Sequence, residues 1–127
     1  MERFLWVCLG GAFGSGARYL VSGWVQERLG SGFPWGTLSV NVIGSFLIGL
    51  IIQIALSTGA VSPLVRLTLT MGVMGGFTTY SAFNYETFAY MQDKAWLMAG
   101  ANILVTLVAC LAAGFSGQAL ARTLAGG

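Results

Sequence analysis

The chain has 127 residues, of which 56% are hydrophobic and 8% charged, with 19 glycines and no histidine. A soluble domain carries about 25% charged residues, so the balance excludes that class and points to a single transmembrane domain over residues 1–127. The net charge of +2 is spread thinly and excludes a basic nucleic-acid surface.

A helix needs about 20 apolar residues to cross a bilayer core. Four stretches qualify, at about 4–25, 37–56, 64–91 and 95–119. The connectors 26–36, 57–63 and 92–94 hold Gly, Ser, Pro and charges, as short loops should. The expected fold is all-α, with four transmembrane helices. Arg3 before an apolar run has the outline of a secretory signal. Glu2 and the apolar character continuing to Val25 instead indicate a first span and no cleaved signal. Cys8 and Cys110 lie in apolar segments without a second cysteine nearby, and are expected to be buried and reduced.

The first span carries Gly10-Gly11-Ala12-Phe13-Gly14-Ser15-Gly16. Small residues at four-residue spacing let helices approach closely in lipid. Arg18, two turns before the span's end, fits either snorkelling to the interface or a polar vestibule that attracts anions. The second span opens on Phe33-Pro34-Trp35-Gly36 and places Thr37, Asn41 and Ser45 on one face. An amide at that depth is costly without partners. Asn41 therefore makes an interhelical hydrogen bond or faces an ion.

The third span is too long for one simple crossing: its 28 residues rise about 42 Å against a core of about 30 Å. Gly75-Gly76-Phe77-Thr78-Thr79 in its middle predicts a break, because paired glycines weaken a helix and hydroxyls can bond freed backbone groups. Such a break is tolerated only where protein or a polar cavity surrounds it. Beyond it, Tyr80, Phe83 and Glu86 recur every three residues as one ridge, with Ser81 and Tyr85 on the adjacent line. Glu86 is either interfacial or a guard at a pore mouth. The fourth span carries a second polar line of Asn102, Thr106 and Cys110, which faces protein or water rather than lipid.

Four spans put both termini on one side with Arg3, Arg66 and Arg122, against Arg28 and Lys94 on the other. So small a bias does not direct insertion. Insertion both ways with antiparallel pairing explains it, and an unseen partner is the alternative. In an antiparallel pair, carbonyls freed by the break would face each other near mid-membrane. A hard cation such as Na+, or water and hydroxyls, could satisfy them. With no histidine, carboxylate pair or cysteine set, the residues do not suit catalysis. Hydroxyls, amides and electropositive ring edges suit a small anion shedding water.

Gly75-Gly76-Phe77-Thr78-Thr79-Tyr80-Ser81-Ala82-Phe83 closely resembles the third-helix signature of the Fluc (CrcB) fluoride channels. The run from Pro34 to Phe46, containing Asn41, resembles their second-helix signature, and the glycine-rich run through Arg18-Tyr19 also fits. The resemblance covers essentially the whole chain. It implies a dual-topology antiparallel homodimer in the lipid bilayer of the bacterial inner membrane, with two antiparallel pores for passive, fluoride-selective export that relieves fluoride toxicity. It also implies a structural Na+ at the dimer interface, held by the backbone carbonyls of Gly75 and Thr78. Asn41 matches the family's pore asparagine, Tyr80 and Phe83 its two box aromatics, Glu86 the glutamate a turn beyond, and Arg18 the vestibule arginine. Ser81, Asn102 and Thr106 match its polar track, the last two less tightly. Tyr80 stands where the family usually has Phe, and Ala82 where it usually has Thr or Ser. A small dual-topology multidrug-type transporter also has four short spans, but needs a deep glutamate in its first span, which is missing here. A non-conducting assembly subunit is the third reading.

Overall fold

A computed structural model describes residues 1–126. The described residues form helices and no strand. Helix α1 covers Glu2–Leu29, α2 covers Trp35–Thr58 and α5 covers Trp96–Ala125; each is long and apolar enough to span a membrane. The third stretch is two shorter pieces. Helix α3 runs over residues 63–77 and α4 over Tyr80–Gln92.

Each helix has a local cause. Ser62 caps α3 by accepting the Val65 N–H at 3.2 Å, and Pro63 fills the first position, where a missing N–H costs nothing. Gly59 ends α2 in the left-handed conformation, at φ 65°. The link from α1 to α2 is bracketed by one side chain. Gln26 Nε2 donates to the carbonyls of Gly30 and Phe33, and its Oε1 accepts the Gly36 N–H at 2.9 Å. That last bond satisfies an orphan donor at the start of α2.

The third span breaks within the expected stretch 75–79, at its threonine end and not at the glycine pair. Gly75–Phe77 remain helical, with Gly75 at φ −60° and ψ −38°. The chain leaves the helix at Thr78 (φ −88°, ψ 158°) and Thr79 (φ −149°, ψ 111°). The glycines serve close packing instead. A Cβ on Gly76 would lie 2.5 Å from the Gly11 carbonyl and 3.0 Å from the Ser15 nitrogen of α1. Two β-branched threonines, comfortable in extended backbone, take the break. Thr79 then caps α4, its Oγ1 accepting the Ala82 N–H at 3.1 Å. Before the break, Thr68–Met74 widen into π-helix, which the sequence did not foretell.

The helices run longer than expected; α5 starts at Trp96 and reaches Ala125 rather than residue 119. Helix α2 packs along α5, and α1 along α3. The core is small: Val40, Met74 and Phe77, with Leu47, Ile48 and Ile51 against it. Most large apolar side chains point outward, among them Leu97 (86% exposed), Phe13 and Phe115. Cys8 is on that outer surface of α1, contrary to the expectation of burial, and Cys110 is half-buried; both are free thiols.

Candidate functional site

The break makes the site. In an unbroken helix the Thr79 N–H would reach the Gly75 carbonyl four residues back. It goes instead to Asn41 Oδ1 at 2.7 Å, while Asn41 Nδ2 donates to the Thr79 carbonyl at 3.0 Å. A side-chain amide thus replaces peptide partners on both sides of one residue. Asn41 is buried in α2 and needs such partners; one of its two Nδ2 hydrogens is not spent on the pair. The interhelical bond considered for Asn41 is present, and its residue also borders open space.

That space is a cleft of about 600 Å³ between α2, α3, α4 and α5. Asn41, Gly75, Thr78, Tyr80, Phe83 and Thr106 line it together, with Ser45, Thr79 and Cys110. The Tyr80 and Phe83 rings meet edge to face, with centroids 5.8 Å apart. Tyr80 is 76% exposed. The polar stripes of α2 and α5 do face protein: Thr37, Asn41, Asn102 and Thr106 are all buried.

Four expected residues stand outside this cleft. Arg18 Nε donates to the Gly76 carbonyl at 3.0 Å, so the guanidinium caps the C-terminal end of α3 beside the break. This contact differs from both readings of Arg18, since a carbonyl exposed by the break draws the side chain inward. Ser81 is exposed, its hydroxyl 3.3 Å from Thr79 Oγ1. Glu86 Oε2 accepts from Thr37 Oγ1 at 2.8 Å, while its Oε1 is buried without a partner. Glu86 borders a second cavity of about 400 Å³ at the end of α1, with Gln26, Phe33, Pro34, Tyr90 and Asp93.

Asn102 lies behind the cleft wall, 1% exposed. Its Oδ1 accepts from Thr106 Oγ1 at 3.2 Å, and its Nδ2 donates to Thr87 Oγ1 at 2.9 Å. Thr87 in turn donates to the Phe83 carbonyl at 2.7 Å. Sequence reasoning passed over Thr87 and left Thr79 as one hydroxyl of the break. The signals were there: Thr87 is four residues after Phe83, on the ridge, and a buried Asn102 had to find an acceptor. Among the described residues no three His, Cys, Asp or Glu side chains come together as a metal site.

Comparison with known proteins fits this arrangement. Residues 5–118 match the family described as CrcB-like protein, Camphor Resistance (CrcB). The chain is 56% identical over 127 residues, all of both chains, to a protein of Sorangium cellulosum (strain So ce56) named fluoride-specific ion channel FluC. It is 55% identical over 126 residues to one of that name from Anaeromyxobacter dehalogenans (strain 2CP-1 / ATCC BAA-258), covering 99% of this chain and 100% of that one. A third, from Citrifermentans bemidjiense, is 45% identical over 124 residues, 98% of this chain and 100% of the other. A family match over residues 5–118, with relatives this similar over the full chain, places this chain in the CrcB-like family.

Proposed function

We propose that this protein is a fluoride-selective ion channel and not an enzyme, carrying fluoride passively across the bacterial inner membrane. The observation that carries the reading is the cleft beside the broken helix, where Asn41, Tyr80, Phe83 and Thr106 converge. Fluoride must exchange water for other donors. Ring edges, a spare amide hydrogen and hydroxyls supply partial positive charge without a full cation that would trap the ion. Relatives of full-length similarity bear the name fluoride-specific ion channel.

In this reading two copies pair antiparallel and each contributes to two pores. The near-even distribution of basic residues and the outward apolar side chains support pairing. Na+ is the structural ion at the shared interface. The Gly75 carbonyl, deprived of the Thr79 N–H, and the Thr78 carbonyl in extended backbone are hard oxygen donors of the kind that holds Na+. Bound there, Na+ would neutralise converging carbonyl dipoles. Glu86 stands toward one end of the path and Ser81 along its polar side, while Arg18 sits at the Gly76 carbonyl beside the break and Asn102 behind the cleft wall.

The test is efflux from liposomes loaded with fluoride or chloride, with no proton gradient. Purified protein should release fluoride and hold chloride. Chloride release at a comparable rate, or no release of fluoride, overturns the reading.

A further inference from the structure

We propose that Thr87 and Asn102 are positioning residues: their buried hydrogen bond sets the rotation of α4, and with it where the Tyr80 and Phe83 rings stand in the cleft. This rests on the channel reading above. Helix α4 has 13 residues and is cut from α3 by the extended Thr78-Thr79 pair, so no continuous helix fixes its rotation. It packs chiefly on α5. In lipid, apolar contact between helices is non-directional and has little driving force of its own. A hydrogen bond is directional.

The bond is well placed for the task. Asn102 Nδ2 on α5 donates to Thr87 Oγ1 on α4 at 2.9 Å, at a point where both residues are under 10% exposed. Thr87 passes its own hydrogen to the Phe83 carbonyl at 2.7 Å. At about 100° per residue, Tyr80, Phe83 and Thr87 share one face of the helix. Holding Thr87 against α5 therefore holds both rings. The other end of Asn102 takes the Thr106 hydroxyl, whose residue lines the opposite cleft wall. Three donors point in one direction, so the two walls of the cleft are joined through a single buried amide.

Thr87→Val keeps the shape and removes the hydroxyl. It should lower the fluoride release rate of liposomes holding one channel by about tenfold, the effect of about one lost hydrogen bond's worth of alignment. Thr87→Ser should restore the rate to within about twofold of wild type. The fraction of liposomes with an active channel reports folding separately, and a purely structural role would lower that fraction while leaving the single-channel rate unchanged. Should Thr87→Val not yield folded protein, Asn102→Ser carries the same comparison, since it is too short to reach both threonines. Equal single-channel rates in Thr87→Val and wild type, or a Thr87→Ser variant as slow as Thr87→Val, overturn the proposal while the channel reading stands. Wild-type liposomes that release no fluoride overturn both.

Discussion

Asn41 and Thr79 are joined at two points. The Asn41 side chain accepts the Thr79 N–H at 2.7 Å and donates to the Thr79 carbonyl at 3.0 Å. One amide on α2 therefore holds open the break between α3 and α4, which would otherwise leave two backbone groups unsatisfied inside the membrane. Asn41→Leu keeps the number and branching of the side-chain heavy atoms and removes both partners. It should lower stability by about 2 kcal/mol or more, because each buried group left unsatisfied costs about 1–3 kcal/mol. Thermal unfolding in detergent measures this, and an unchanged midpoint would remove Asn41 as the support of the break.

The glycines of α1 and of α3, which packs along it, divide into residues that pack and residues that do not. A Cβ at position 76 meets α1 backbone at 2.5 and 3.0 Å, whereas one at position 16 meets nothing within 4 Å. Gly76→Ala should destabilise by about 1–3 kcal/mol through overpacking. Gly16→Ala should be neutral in the single chain. Comparable losses in both, by the same unfolding measurement, would contradict the helix contact.

Tyr80 gives this chain a hydroxyl on an exposed ring beside Phe83. A donor there would retain fluoride longer. Tyr80→Phe is expected to raise fluoride flux severalfold, by about the worth of one hydrogen bond of roughly 1 kcal/mol. Equal flux in liposomes would sink the idea that the hydroxyl matters.

Glu86 holds Thr37 at 2.8 Å through one oxygen and leaves the other unpaired. Glu86→Gln can keep an acceptor for Thr37 while removing a carboxylate's charge from the rim of the second cavity, which the channel reading puts at one end of the path. Fluoride flux should rise about two- to threefold near 0.01 M ionic strength and much less near 1 M, where the Debye length falls to about 3 Å. A gain independent of salt would mean that the carboxylate acts by shape and not by charge.

The amino-acid order alone determined the class of this protein. Its apolar stretches set the number and place of the helices, and a third stretch too long for one crossing required a break. The four-residue steps Thr37-Asn41-Ser45 and Asn102-Thr106-Cys110 were legible as inward faces, because helical periodicity is local. Signature runs carried the family. Tertiary structure decided where the break falls and who satisfies it. Gly76 looked like a breaker but is a contact, since only the neighbouring α1 backbone makes its missing side chain necessary. Arg18 reaches the Gly76 carbonyl across 58 residues of sequence, and Asn41 reaches Thr79 across 38. Such pairings follow from how helices cross, which no local propensity encodes. Thr87 gained its place in the same way, from the one buried amide on α5 that needed an acceptor.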